Sequence, residues 1–314
     1  MTALFDVPAP VETPRKPERH LAPVPDPIPD EFTVTEPGAY DNMPLGVYHR
    51  DPVPAGSLSS TGARKLLHPS CPAKFHYEQT HGQEPKDEYD FGTAVHTFTL
   101  GTGPRIVAVD ARSWQTGAAR EQRAAERAEG NVPLLAKDYA RAKEVARAVR
   151  NNPAAAALLR PDRGVAEQSL FWIDPQTGVW RRARPDLRTT SAEGRCLIVD
   201  VKTTESAAPD DFARSIYKFG YHQQGDTYID GVKALDLGED PEFLMVAVEK
   251  QPPYLCEVYA LDVFAKDLGR ARNRRALEVF KDCTATGRWP GYTDEITYLA
   301  LPGWAERADS EEYL

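Results

Sequence analysis

The stretches Arg184-Pro185-Asp186-Leu187 and Ile198-Val199-Asp200-Val201-Lys202-Thr203-Thr204 decide the fold of this chain. Leu197 to Val201 form a short apolar run rich in β-branched side chains, and such a run predicts a buried strand. Side chains alternate along a strand, so Asp200 and Lys202 lie on one face of it. The sequence therefore predicts an acid and a lysine side by side on a core strand.

Asp186 closes the preceding predicted strand, Val179–Leu187, and an antiparallel hairpin would bring its carboxylate beside that of Asp200. Two carboxylates that close repel each other unless a cation lies between them. Mg²⁺ suits such a pair, because it binds one or two carboxylates and completes its octahedron with water and phosphate oxygens. Lys202 would position the nucleophile or neutralise charge developing at phosphorus. A surface hairpin with an incidental salt bridge is the alternative.

The whole pattern resembles the PD-(D/E)XK nuclease superfamily, in which proline-aspartate ends one strand and a D/E-x-K triplet lies on the next. Here the residues are Pro185-Asp186 and Asp200-Val201-Lys202. The resemblance implies an α/β fold with a restriction-endonuclease-like core, a central mixed β-sheet flanked by helices. It also implies that Asp186, Asp200 and Lys202 are catalytic, and that both aspartates and the Val201 backbone carbonyl bind metal.

A second segment, Phe91-Gly92-Thr93-Ala94-Val95-His96, resembles the G-x-x-x-H helix motif of the RecB-like branch of that superfamily. The histidine of that motif is a metal ligand, which implies the same role for His96. Gly92 would let the helix approach the carboxylates closely. An imidazole suits Mn²⁺ as well as Mg²⁺. The alternative is an ordinary core or surface histidine.

A third segment, Tyr221-His222-Gln223-Gln224-Gly225-Asp226-Thr227-Tyr228, is similar to the Q-x-x-x-Y motif of the same branch. Gln224 and Tyr228 are four residues apart, so they share one face of a predicted helix. The resemblance implies that they bind the substrate backbone or hold the lysine. Two amphipathic residues on an exposed helix are the alternative.

From about residue 48 to residue 292 the chain resembles the nuclease domain of RecE-type exonucleases (exodeoxyribonuclease VIII) of phages and prophages. Further segments carry this resemblance in order: Leu58-Ser59-Ser60-Thr61, Cys71-Pro72-Ala73-Lys74-Phe75, Glu167-Gln168-Ser169-Leu170-Phe171-Trp172 and Trp289-Pro290-Gly291-Tyr292. It implies a Mg²⁺-dependent exonuclease, with Mn²⁺ as a substitute, that degrades linear double-stranded DNA from 5′ to 3′. The 3′ tails would serve recombination through an annealing protein of the RecT type. It also implies a toroidal homo-oligomer in a bacterial host.

Other charged residues leave their roles open. Glu167 starts a predicted strand, Ala166–Ile173, where it either faces the metal site or forms a solvated strand end. The net charge of -9 disfavours binding to a polyanion, so local clusters of cations must supply affinity for DNA. Arg182 and Arg184, beside the first acidic motif, are candidate phosphate ligands. Simple solvation is the alternative, and it applies also to the late cluster Arg270, Arg272, Arg274 and Arg275.

Composition predicts the organisation of the chain. Residues 1–45 are rich in proline and charge without apolar periodicity, which predicts a disordered arm. Residues 46–314 would form the nuclease domain, with a helical insertion around 112–150 outside the catalytic core. No apolar stretch could span a membrane and no signal-peptide core is present, which predicts a cytoplasmic protein. The cysteines are not clustered, so no zinc knuckle and no iron–sulfur cluster is predicted.

Two other functions stay open. A RecB-like single-strand nuclease or a structure-specific endonuclease would keep the acids and the lysine but differ in its dependence on DNA ends. A catalytically inactive DNA-binding phage accessory protein could share the fold. The second alternative is disfavoured, because charged groups are expensive to bury without a function.

Overall fold

The residues that the structure describes, 32–82, 87–160 and 163–314 of a computed structural model, form three sheets. The elements up to residue 160 are β1 (Gly38–Tyr40), α1 (Leu45–His49), β2 (Ser57–Ser59), α2 (Ser60–Leu66), α3 (Pro72–His81), α4 (Asp87–Leu100), β3 (Ile106–Val109), α5 (Gly117–Ala128), β4 (Val132–Leu135), α6 (Ala136–Asn151) and α7 (Pro153–Leu158). Those that follow are β5 (Gly164–Ala166), β6 (Ser169–Ile173), β7 (Trp180–Ala183), β8 (Leu187–Thr190), β9 (Cys196–Thr204), α8 (Pro209–Phe219), α9 (Tyr221–Ala234), β10 (Glu242–Glu249), β11 (Cys256–Ala260), α10 (Val263–Thr286) and α11 (Gly303–Tyr313).

The five-stranded sheet, in the order β11-β10-β9-β8-β5, carries the acidic motifs. β9 and β10 are parallel, with Asp200 opposite Met245, and the other three pairs are antiparallel. A parallel pair needs a crossover connection, which α8 and α9 supply. The predicted central mixed sheet flanked by helices is therefore confirmed.

β9 is covered on both faces, which explains its nearly continuous apolar sequence. On one face, Val199 and Val201 pack in a cluster with α4 and α6. On the other face, Ile198 packs in a cluster with α9. Because side chains alternate along a strand, Asp200 and Lys202 follow Ile198 and lie on the α9 side.

A bend divides both strands that precede β9. The predicted strand Ala166–Ile173 is split into β5 and β6, and Val179–Leu187 is split into β7 and β8. Glu167 adopts a left-handed backbone with φ 53°, and its N–H donates to the carbonyl of Asp186 at 3.1 Å. The chain thus passes from the four-stranded sheet, β1-β6-β7-β2, to the five-stranded sheet at this point. We call Glu167–Gln168 and Arg184–Asp186 the sheet bend.

The predicted helical insertion belongs to the core. Its two helices, α5 and α6, are separated by β4, which pairs in parallel with β3. Val145 and Val149 of α6 are fully buried in the cluster that contains Val199 of β9. The prediction that this segment lies outside the catalytic core was wrong, because Ala142, Val145, Ala146 and Val149 form an apolar stripe in an alanine- and arginine-rich sequence.

The folded chain begins earlier than the predicted boundary at residue 45. Gly38–Tyr40 pairs antiparallel with β6, and Val34 and Met43 are buried beside Phe171. The predicted disorder was therefore wrong for residues 32–45, where a three-residue strand is too short to produce a visible sequence pattern. The rest of the predicted arm, residues 1–31, lies outside the described residues.

α10 spans 24 residues and fixes the position of α9. A Cβ on Gly269 would lie 2.2 Å from the carbonyl oxygen of His222, so only glycine permits this approach. The buried Asn273 amide donates to the Gln223 carbonyl at 2.8 Å and to Thr227 Oγ1 at 3.0 Å. In the described parts of the chain, no helix is both long enough and apolar enough to cross a membrane.

Candidate active site

Asp186 lies at the sheet bend with its carboxylate against β9. Its Oδ2 accepts a hydrogen bond from the Val201 N–H at 2.7 Å, and the residue is buried. The register of β8 on β9, with Leu187 opposite Val199, produces this contact. Asp186 precedes β8 and does not end a continuous strand as predicted, because the bend interrupts that strand. The hairpin nevertheless brings Asp186 beside the D-x-K strand.

Asp200, Lys202 and Gln224 form a closed network beneath α9. Asp200 is only 1 % exposed and forms an ion pair with the Lys202 ammonium. Gln224 bridges the two, because its Nε2 donates to Asp200 Oδ1 at 2.9 Å and its Oε1 accepts from Lys202 Nζ at 2.8 Å. The lysine head is therefore held from two sides.

Tyr228 completes this network from one turn further along α9. Its hydroxyl donates to the Arg184 carbonyl at 3.1 Å and accepts from Gln224 Nε2 at 2.8 Å. Tyr228 is 7 % exposed, and its contact with DNA stays a prediction. Of the two implied roles of the Q-x-x-x-Y pair, these contacts match holding the lysine.

His96, Glu167 and Asp186 form a group suited to a metal ion. One ligand atom from each lies within 4.8 Å of the others. His96 Nδ1 lies 3.2 Å from Asp186 Oδ2. Glu167, whose role the sequence left open, is thus at the site because the sheet bend carries it there. Asp200 is not in this group, and Val201 contributes its N–H to Asp186, so the metal roles predicted for Asp200 and the Val201 carbonyl stay predictions.

The pKa values of these groups reflect the crowding of charge in the site. Burial and the charge of Asp186 raise the pKa of Asp200 to about 6 and raise the pKa of Glu167. Burial opposes ionisation of Asp186 and His96 as well, but their mutual attraction outweighs it. The pKa of Asp186 is lowered, and that of His96 is raised to about 9. Asp200 Oδ2 is enclosed and pairs with the Lys202 ammonium. Three crowded carboxylates fit an added divalent cation.

Lys202 remains an ammonium ion in this environment. Burial lowers its pKa, but the charge of Asp200, followed by Tyr221, outweighs burial and raises it. Lys202 Nζ also lies 4.4 Å from the centre of the Tyr221 ring. Sequence reasoning missed Tyr221, whose one signal is its place three residues before Gln224. A charged lysine can neutralise an oxyanion but cannot serve as a base.

The two arginines predicted to bind DNA form ion pairs within the protein. Arg182 is 7 % exposed, pairs with Asp51 at 2.7 Å and donates to the Ser57 carbonyl at 2.6 Å. Arg184 Nε pairs with Glu167 Oε2 at 2.7 Å. The substrate contacts of both side chains stay predictions, since both guanidinium groups already have carboxylate partners in the protein. Arg184 orients Glu167 at the sheet bend.

The late arginine cluster does not act as one surface. Arg274 forms a two-pronged pair with the buried Asp174, at 2.9 and 3.0 Å. Arg270 and Arg275 pair with carboxylates on their own helix. Arg272 contacts an amide and a carbonyl oxygen and no carboxylate in the described chain.

Gly92 does not have the predicted role in close packing. A Cβ at this position would meet Thr203 Oγ1 at 3.8 Å, which is an ordinary contact. The approach of α4 to β9 therefore leaves room for alanine, and the prediction was wrong. The motif is carried by His96, which the helix places against Asp186.

Comparisons with known proteins agree with this geometry. Residues 59–302 match the family described as a PDDEXK-like domain of unknown function (DUF3799). A crystal structure of a provisionally assigned exonuclease from Eubacterium rectale is similar, with a TM-score of 0.56 and 14 % identity, covering 85 % of this chain and 98 % of that chain. At this identity the likeness shows the fold alone.

The crystal structure of SSO0001 aligns with 64 % of this chain and 85 % of its own chain, at 12 % identity. Its TM-score of 0.27 is too low to indicate a shared fold. No curated protein matches the sequence. The family match, with the fold of the Eubacterium rectale protein, supports a nuclease. Since the match covers more than half of the chain, the protein belongs to the PDDEXK-like family DUF3799.

Proposed function

We propose that this protein is a Mg²⁺-dependent exonuclease that degrades linear double-stranded DNA. One observation carries the proposal: the group His96, Glu167 and Asp186 lies beside a partly buried lysine that is held by Asp200. Acidic groups that bind a cation, next to a fixed ammonium ion, are the parts that phosphodiester hydrolysis requires.

The residues present fit a divalent cation. His96, Glu167 and Asp186 would hold it, with the enclosed Oδ2 of Asp200 close to the same charges. Carboxylates suit Mg²⁺, and the imidazole also suits Mn²⁺. When bound, the ion would polarise the phosphodiester and lower the pKa of a water molecule.

The protein's own groups orient the reaction. Lys202 neutralises negative charge that develops on the phosphate oxygens, because Asp200 and Gln224 hold its ammonium group in place. Asp186 is fixed by the Val201 N–H, and Arg184 fixes Glu167. Groups that are oriented before the substrate binds need little reorganisation during the reaction.

The finer features of the proposal come from the RecE-type resemblance. They are digestion from 5′ to 3′, a 3′ tail passed to an annealing protein of the RecT type, a toroidal homo-oligomer, a phage origin and a place in the bacterial cytoplasm. Their support is the order of motifs from Leu58 to Tyr292. Sedimentation of the purified protein tests the ring, which requires a discrete multiple of 34.9 kDa.

The test of the proposal is digestion of linear duplex DNA, labelled at either end, alongside a closed circle. Mg²⁺ or Mn²⁺ should support loss of the linear DNA while the circle is spared, and the label lost first identifies the strand. Asp186→Ala should be inactive. Asp236→Ala, which changes an exposed aspartate outside the site, is the matched control.

Each alternative function predicts a different pattern in this test. Cutting of the circle would favour a structure-specific endonuclease, and digestion of single strands alone would favour a RecB-like single-strand nuclease. No cleavage by the wild type with either metal would favour the inactive DNA-binding protein. The buried charge of Asp200 and the partly buried charge of Lys202 disfavour that outcome, since an inactive protein gains nothing from them.

A further inference from the structure

A row of aromatic side chains leads from Lys202 to the surface. The Tyr221 ring lies 4.4 Å from Lys202 Nζ, and the Phe219 ring stacks on Tyr221 with centroids 5.7 Å apart and an angle of 25°. Tyr217 stacks on His222 at 9° and is 75 % exposed, while Phe219 is 47 % exposed. We call residues 217–221 the α8–α9 junction. It exposes flat rings next to the proposed reaction centre.

Three cations surround this junction. Gly220, in a left-handed conformation, makes room for Arg64, because a Cβ there would lie 2.6 Å from Arg64 Cδ. Burial raises the pKa of Tyr221, and the charge of Arg64 opposes that rise. Lys218 Nζ lies 5.2 Å from the Phe219 ring. Arg272 donates to a side chain of α9, Gln223 Oε1, at 3.0 Å.

These cations differ from most arginines near the site. In residues 32–82, 87–160 and 163–314, none of Arg64, Lys218 and Arg272 forms an ion pair with a carboxylate. Arg182 and Arg184, by contrast, are neutralised by Asp51 and Glu167. In a chain of net charge -9, positive groups without acidic partners are available to an anionic ligand.

We infer that the α8–α9 junction binds the unpaired end of the DNA strand that enters the site. Phe219 and Tyr217 stack on its bases, while Arg64, Lys218 and Arg272 contact its phosphates. Exposed rings with interleaved cations are the combination that binds single-stranded nucleic acid. A base-paired end keeps its bases stacked on each other, so the rings favour a frayed or single-stranded terminus.

This inference rests on the proposed function, and a binding experiment separates the two. Affinity is measured by fluorescence anisotropy, with metal chelated so that nothing is cut, on a blunt duplex and on duplexes with four-nucleotide extensions. The wild type should bind an extended duplex more tightly than the blunt one. The double variant Tyr217→Ala/Phe219→Ala should lose at least about 30-fold in affinity for it, which is about 2 kcal/mol, the lower limit expected for two stacked bases.

Abasic extensions provide a readout that a structural role would not change. Removing the bases should weaken binding to the wild type by the same factor and leave the double variant unaffected. Arg64→Gln should weaken binding to normal and abasic extensions alike and reduce its salt dependence. The control is Tyr298→Ala, which removes a ring that is 96 % exposed and far along the chain from this junction.

Equal affinity of the wild type for normal and abasic extensions would overturn the inference. If the wild type still digests linear DNA with Mg²⁺ in that case, the proposed function survives. If the wild type neither binds nor digests DNA, both fail. With active enzyme, the double variant should also raise KM for extended ends while kcat is retained, since stacking lies outside the reacting groups.

Discussion

The two sides of the site differ in how completely the protein satisfies their charges. On the β9 side, Lys202 is paired with Asp200 and bridged by Gln224, so the ammonium ion is compensated by protein groups. At the sheet bend, Arg184 pairs with Glu167 and His96 lies 3.2 Å from Asp186, and the two acids and the imidazole bring three ligand atoms within 4.8 Å of one another. The first side is complete as folded, whereas the second still offers this group of three ligand atoms to a metal ion.

This difference assigns separate tasks to the two sides. A group held by several hydrogen bonds can act without reorganisation, which suits charge neutralisation at a phosphate. A cluster of crowded carboxylates suits an ion that arrives from solution. The function of the β9 side should therefore depend on protein groups alone, whereas the function of the sheet bend should depend on added metal.

The largest effect is expected when one charged group is removed from each side. Lys202→Gln should lower kcat by about 10²–10³-fold, the usual loss when a group that stabilises transition-state charge is removed. Asp186→Asn should lower it at least as far. Raising the concentration of Mg²⁺ or Mn²⁺ should partly restore Asp186→Asn but not Lys202→Gln. Equal rescue of both variants would erase the distinction between the two sides.

Arg182, on β7, pairs with Asp51, so its loss should affect stability and not DNA binding. Arg182→Met leaves the partly buried Asp51 without its cation and should cost about 2 kcal/mol in the free energy of unfolding, since a hydrogen bond to a charged group contributes about 1.5–3 kcal/mol. Urea denaturation measures this cost. Arg270→Met, at a side chain that is 66 % exposed, should change stability by less than about 0.5 kcal/mol. A stable Arg182→Met protein with weakened DNA affinity would support the prediction that Arg182 contacts a phosphate.

His96 should determine the metal requirement more than the rate at saturating metal. His96→Ala should raise the Mg²⁺ concentration for half-maximal cleavage by about 10–100-fold, the loss caused even by removing an outer partner of a metal ligand. His81→Ala, at an exposed histidine, serves as the control. A metal titration unchanged in His96→Ala would remove the imidazole from the ligand set.

The smallest effect is expected at Tyr228. Tyr228→Phe removes the hydroxyl that joins Gln224 to the Arg184 carbonyl, and it should cost about 1 kcal/mol in stability. Cleavage should fall by less than about 10-fold, because Lys202 keeps Asp200 and Gln224. Thermal melting and kcat measure the two effects. A loss as large as that in Lys202→Gln would place the hydroxyl among the reacting groups.

The sequence was sufficient to predict the centre of the site. Alternation along Leu197 to Val201 placed Asp200 and Lys202 on one face, and the spacing of four placed Gln224 and Tyr228 together. Both are short-range consequences of strand and helix geometry. Asp200 and Lys202 meet Gln224 and Tyr228 because the crossover connection places α9 on their side of β9.

Other features depend on partners that no local pattern reveals. The sheet bend interrupts two strands that the sequence predicted as continuous, so the position of Glu167 beside Asp186 was not evident. Arg182 and Arg184 looked like a basic patch because Asp51 and Glu167 are distant in sequence. A side chain such as Arg64, which forms no ion pair with the described residues, can be identified only from the structure.

The Gln224 bridge affects the order in which the two sides of the site assemble during folding. Lys202 and Gln224 are 22 residues apart, and Val201 and Asp186 are 15 apart, so these contacts close short loops. His96 comes from a helix much earlier in the chain, and its contact closes a far longer loop. Because the entropy lost on closure grows with loop length, the lysine side can form early in folding, and the metal-binding side is completed only when α4 docks.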